Sequence, residues 1–363
     1  MSALGDEIKA LIGDHGPISL ERYMALALTH ATHGYYMHRD PFGASGDFTT
    51  APEISQMFGE LIGLWAAEVW ASMGAPNPVH LIELGPGRGT LMSDALRAAR
   101  VAPNFRAVLD VCLIEASPML AAIQHETLLT SGAPIAWASQ LREAPEGPAI
   151  IVANEFLDAL PLRQYVRGRQ DWRERLVALD ESGALTFRLA TDGEPYIGAR
   201  ADEGSVLEVN AIGHRLTHAI GDRVATQGGA ALFIDYGHTT TGFGDTLQAL
   251  RSHRMVDPLS EPGTADITAH VDFAAMARSA RAAGAAVYGP IPQGDFLRAL
   301  GLDQRAATLA RKGGAQQVAD IESARMRLSG KGDGEMGALF KAMVIANRNL
   351  PTPPGFQSLG GAL

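Results

Sequence analysis

Cysteine is almost missing from this chain of 363 residues: Cys112 is the only one. A lone thiol excludes an internal disulfide and a metal cage built on several cysteines. Its setting, Val111-Cys112-Leu113-Ile114, suits a buried core residue better than a nucleophile. Long apolar runs are missing as well. None nears the roughly 18 residues that a membrane span needs, so no membrane insertion is expected. Basic charge is in deficit, with 30 Lys and Arg against 40 Asp and Glu and a formal net charge of −10. Nucleic-acid binding is dominated by Lys and Arg contacts to phosphate, so no nucleic-acid partner is expected. An acidic protein would suit a basic substrate, such as a protein bearing Arg or Lys, although many cytosolic proteins are simply acidic. The opening residues have neither the basic-then-apolar build of a signal peptide nor the Arg-rich character of a transit peptide. A cytoplasmic location is therefore expected.

The elements present form a pattern. Residues 1–75 read mainly as helical, with Ser19 a plausible N-cap before an apolar face of Tyr23, Met24, Leu26 and Ala27. A Gly-, Pro- and Thr-rich stretch from Gly34 to Pro52 interrupts them and reads as a long loop, of the kind that often serves as a lid. Ile54–Met73 resumes helical spacing. From residue 78 short apolar strands alternate with helical segments: Val79–Leu84, Arg106–Glu115, Pro134–Ala138, Ala149–Ala153 and Ala230–Asp235. Near-continuous apolar strands separated by helices imply a mostly parallel sheet covered on both faces. Gln164–Val166, Arg173–Leu179 and Leu185–Leu189 read as short antiparallel strands, a β-rich insertion at about 162–228. Ala285–Tyr288 and Leu339–Ala346 read as late strands flanking a helical 294–328. The expected division is an N-terminal helical region (1–76), a core (77–348) and a loose Pro/Gly-rich tail (349–363).

The strand Val79–Leu84 runs into Gly85-Pro86-Gly87-Arg88-Gly89-Thr90-Leu91. A glycine loop after a first parallel strand is the layout of a cofactor site, because glycine admits positive φ and close backbone approach. A dinucleotide loop reads G-x-G-x-x-G. Here the third glycine falls one residue early, at Gly89, and the expected position holds Thr90. Glu83 would repel a pyrophosphate but suits the cationic amine of a methionyl group. Both features favour S-adenosylmethionine. Glu115, at the end of the second strand, is the expected partner of the ribose hydroxyls.

Ligands of open α/β sheets bind beyond the carboxyl ends of the strands, which is where Asn154-Glu155-Phe156-Leu157-Asp158 stands. Methyl transfer is an in-line displacement that needs proximity and orientation. Carboxylates are the natural partners of an always-charged, planar guanidinium, so Glu155 and Asp158 are the candidate orienting groups. For Asp158 an acid stabilising a helix N-terminus is an equal alternative. His270, in Asp266–Phe273, is a candidate proton acceptor. Asp235-Tyr236-Gly237 is expected to line the same cleft. His30, His33 and His38 lack a carboxylate or cysteine at metal-binding spacing, and no metal is expected.

Together, Gly46–Ser55, Glu83–Leu91, Asn154–Pro161, Asp235–Gly237 and Asp266–Phe273 resemble the MidA-like class I methyltransferases, whose mitochondrial members are assembly factors for respiratory complex I. The resemblance spans roughly residues 3–348. It implies a class I, Rossmann-like α/β fold: a central seven-stranded sheet, mostly parallel with its last-entered strand antiparallel, and helices on both faces. It implies symmetric dimethylation of an arginine on a complex I subunit, or on a bacterial equivalent, with S-adenosylmethionine as cofactor. Gly85, Gly87, Gly89, Glu83 and Glu115 would bind that cofactor, with Asn154 beside them. The Gly46–Glu53 loop would cover it through Thr49 and Glu53. Glu155, Asp158 and His270 would serve transfer. A non-catalytic assembly protein that keeps the cofactor fold, and a nicotinamide-dependent oxidoreductase, are the alternatives. A homodimer stays open.

Overall fold

The computed structural model describes residues 2–41, 43, 46–47 and 49–357. Phe48, within the Gly46–Ser55 segment, and residues 358–363 of the tail lie outside the described residues. The chain divides into two structural units, each assembled from separated segments. The first comprises residues 1–48, 158–215 and 240–270; the second comprises 49–157, 216–239 and 271–363. Among the described residues, no helix is long and apolar enough to cross a membrane.

Among the described residues, the main path of the second unit's sheet has seven strands, β1 (Val79–Leu84), β2 (Leu109–Ile114), β3 (Ile135–Ala138), β4 (Ala149–Asn154), β5 (Gly229–His238), β6 (Ala286–Pro292) and β7 (Phe340–Ala346), and an eighth, Val271–Asp272, pairs off this path with the end of β5. Their order across the sheet is β6-β7-β5-β4-β1-β2-β3. The pairs from β5 to β3 are parallel. β7 runs antiparallel to both its neighbours, β5 and β6. This is the expected class I sheet. Every residue of β1 and of β4 is buried, as a strand covered on both faces requires. The second strand starts at Leu109 rather than at the expected Arg106, because Pro103 opens a helical turn over Pro103–Ala107.

Three helices position the site: α1 (Gln56–Ser72), α2 (Thr90–Ala98) and α3 (Pro118–Leu128). Ser55 caps α1 by accepting a hydrogen bond from the Met57 amide, and the helix buries Met57, Leu61, Trp65 and Val69. α1 and α2 pack closely because glycine stands at 63: a Cβ there would come within 2.5 Å of the Ala95 carbonyl oxygen. The buried Glu60 of α1 accepts hydrogen bonds from Arg97 at 3.0 Å and from Arg305 Nε at 2.7 Å. Pro351–Gln357, expected to be loose, contains Phe356, which is fully buried with its ring 5.4 Å from that of Phe296.

The first unit joins segments that the sequence kept apart. Helices Ala3–His15 and Leu20–Thr29 share a core with Leu162 and Val177 of the insertion and with Ala249, Ala265 and Ile267. Ser19 caps its helix as expected, accepting from the Arg22 amide. Strand Trp172–Leu179 pairs antiparallel with Ile18–Ser19, Arg163–Arg167 and Leu185–Leu189. Val206–Val209 pairs with Arg163–Arg167. A separate three-stranded sheet combines Gln248–Arg251, Arg254–Val256 and Asp266–Thr268. The expected N-terminal region thus does not end at residue 76. The apolar stripe Leu4, Ile8 and Ile12 is buried in the core that includes the insertion, whereas α1 packs against α2 in the second unit.

Candidate active site

At the end of β1 the backbone turns through Gly85, Gly87 and Gly89, all with positive φ (60°, 55° and 81°). A Cβ at Gly85 would meet the Phe156 ring at 2.6 Å, so only glycine fits there. Gly89 is the N-cap of α2. Glu83, one residue before the end of β1, is 3% exposed, and its Oε2 is buried with no hydrogen-bond partner among the described residues. Burial pushes its pKa from 4.5 up to about 8. An orphaned carboxylate oxygen beside a glycine loop fits a cationic N–H donor, since such a partner offsets the cost of burying the charge.

Glu115 follows β2. Its Oε1 accepts from the Ser117 amide at 2.7 Å and its Oε2 from Gln124 Nε2 at 2.9 Å. Burial raises its pKa, and the hydrogen bonds from Ser117 and Gln124 oppose that rise. Gln124 also donates to the Gly87 carbonyl at 2.8 Å and accepts from Trp137 Nε1 at 3.0 Å. The sequence reading missed Gln124 and Trp137. The only available signal was a polar residue on the buried side of an apolar helix.

Beyond β4 the chain does not enter a helix, so the helix N-terminus alternative for the acids there does not apply. Glu155 adopts the left-handed region, with φ 49°. Asp235, three residues before the end of β5 and 1% exposed, accepts from the Phe156 and Leu157 amides at 3.1 and 2.9 Å and so shapes this turn. Glu155 Oε1 accepts from the Ala51 amide at 2.9 Å and from Asn154 Nδ2 at 3.1 Å. Ala51 opens a short helix, Ala51–Ile54. Within it Glu53 accepts from the Thr90 hydroxyl and lies 3.7 Å from Arg88. Thr49, half-buried, stands two residues before this helix, whose N-cap is Thr50. The second unit therefore brings together Glu83, the three glycines, Glu115, Asn154, Glu155 and Glu53.

Asp158 and His270 belong to the first unit. The Asp158 carbonyl accepts from the Ala269 amide at 3.0 Å, and the His270 amide donates to the Thr246 hydroxyl at 2.9 Å. Tyr36 donates to Asp266 at 2.7 Å. Burial, then the charges of Asp266 and Asp158, raises the Tyr36 hydroxyl well above its usual pKa. Glu7, which sequence spacing did not pair with the histidines, stands 3.4 Å from His30 and 3.5 Å from His33.

Residues 61–291 match the model of a family described as "Putative S-adenosyl-L-methionine-dependent methyltransferase". The chain belongs to this family. Its sequence is 34% identical over 392 aligned residues to "Protein arginine methyltransferase NDUFAF7, mitochondrial" of Xenopus tropicalis, covering 99% of this chain and 90% of that one. The human protein of the same name is 38% identical across 84% of this chain and 74% of its own. A structure from Burkholderia thailandensis, solved bound to S-adenosyl-homocysteine, superposes with a TM-score of 0.87 at 29% identity, covering 99% of this chain and 95% of that one. The resemblance to MidA-like methyltransferases therefore holds, and the chain is an S-adenosylmethionine-dependent methyltransferase. The oxidoreductase alternative falls with it. The cytoplasmic assignment is corrected: these animal relatives are mitochondrial by name, and the absence of a presequence-like start was too weak a sign to place the protein.

Proposed function

We propose that this methyltransferase acts on protein arginine, forming symmetric dimethylarginine on a subunit of respiratory complex I or a bacterial equivalent. The observation that carries this reading is the likeness to the arginine methyltransferases, which extends along 99% of the chain. Bound S-adenosylmethionine supplies a methyl group on a sulfonium. Glu83 holds the ammonium of that cofactor, Glu115 its ribose hydroxyls, and Gly85, Gly87 and Gly89 leave room for its methionyl part. Asn154, Thr49 and Glu53 complete the cofactor's surroundings.

An arginine nucleophile arrives charged and planar. A carboxylate facing it holds the plane by paired N–H···O bonds and offsets its charge. We assign that part to Glu155. Asp158 and His270 lie in the first unit, and no part in this transfer site is assigned to them. The deciding experiment is mass spectrometry of arginine methylation on respiratory-complex subunits from cells with and without the gene, followed by transfer with purified enzyme. Symmetric dimethylarginine that disappears with the gene and returns with the enzyme is expected. Methyl transfer confined to a small molecule or to another residue type would overturn the proposal.

A further inference from the structure

We infer that Gln124 and Trp137 are a positioning pair that sets Glu115 and the Gly87 carbonyl before the cofactor arrives; this rests on the cofactor being held at Glu115 and the glycine loop. Gln124 is fully buried on α3. Its amide has one acceptor oxygen and two N–H donors. The indole N–H of Trp137 can only donate, so its 3.0 Å contact fixes Oε1 on that side. Both N–H groups of Nε2 then face acceptors, the Gly87 carbonyl at 2.8 Å and Glu115 Oε2 at 2.9 Å. Reversing the amide would oppose like groups at all three contacts.

The same helix grips Glu115 twice. Its N-cap residue, Ser117, offers its amide to Oε1, and Gln124 offers its side chain to Oε2. The carboxylate is therefore oriented without help from a ligand. Such prior ordering strengthens binding because less freedom is lost on association. The packing agrees: a Cβ at Gly89 would touch the Gln124 Cα at 3.5 Å, so α3 lies directly on the glycine loop. Only a neutral amide serves here. Leucine would forfeit all three bonds, and glutamate would put a second carboxylate against an already buried one.

The test titrates wild type, Gln124→Leu, Gln124→Glu and Trp137→Phe with S-adenosyl-homocysteine by calorimetry from pH 5 to 8. Loss of a charge-assisted hydrogen bond corresponds to about 10- to 100-fold weaker binding for Gln124→Leu. Gln124→Glu should be weaker still at pH 8 and approach Gln124→Leu at pH 5, where protonation removes the repulsion. A residue with a purely structural role would show no such pH-dependent difference between the two variants. Trp137→Phe, which keeps the ring, should weaken binding about 3- to 10-fold, the scale of one neutral hydrogen bond. Its measurement decides the matter if the Gln124 variants do not fold. Binding by Gln124→Leu or Trp137→Phe at wild-type strength, or a Gln124→Glu to Gln124→Leu ratio independent of pH, overturns the inference. Failure of wild type itself to bind would instead refute the cofactor site.

Discussion

At the scale of single residues, Glu83 and Glu155 carry the sharpest expectations. Glu83 binds a proton in the folded protein up to about pH 8, whereas in the unfolded chain it ionises near 4.5. The folded state therefore holds more protons across that interval, and stability falls as pH rises through it, by at most about 1.4 kcal/mol per pH unit. Thermal unfolding of the unliganded protein from pH 5 to 8.5 should show this slope, and Glu83→Gln should flatten it. Glu155→Gln keeps an acceptor for the Ala51 amide, so cofactor affinity should stay within about threefold while methyl transfer drops roughly 100-fold. Unchanged turnover would remove Glu155 from the guanidinium. Gly85→Ala forces a Cβ into the Phe156 ring at positive φ, which should cost about 1–3 kcal/mol in urea unfolding. The turn through Gly85, Gly87 and Gly89 was legible because the motif is local. Gln124 was not, since its partner Gly87 stands 37 positions earlier.

At the scale of elements, the turn after β4 depends on β5. Asp235 accepts two amides from this turn, those of Phe156 and Leu157. Asp235→Ala strands both and should destabilise the protein by about 2–3 kcal/mol, measured as a lower urea midpoint. A midpoint equal to wild type would mean that the turn holds without Asp235. The strands were legible in the sequence, with Val79–Leu84 and Leu185–Leu189 recovered end to end, because apolar runs bounded by turn residues leave little choice. The strands of Gln248–Arg251 and Arg254–Val256 were not legible. They are short and half-exposed, so alternation is too brief to stand out.

At the scale of the whole molecule, the order of segments along the chain differs from their grouping in space. β7, near the end of the chain, lies between β5 and β6 and bonds to both. Truncation before Phe340 would leave two strand edges open and remove Ala342–Ala346 from the core. Such a chain should not unfold cooperatively. Cooperative unfolding of the truncated product by circular dichroism would contradict this. The expected boundary at residue 76 failed for a related reason: helical periodicity shows that a face is apolar, not which partner covers it.

The sequence by itself determined the strand and helix alternation and the glycine turn that ends β1. These are properties of neighbouring residues, and backbone sterics and apolar periodicity act over a few positions. Only the tertiary structure decided that Glu83 is buried, that Asp235 braces the Glu155 turn, that Gln124 joins Glu115 to Gly87, and that the N-terminal helices share a core with the insertion. Each of these depends on which distant segments meet, and that is set by the burial of whole faces rather than by local preference.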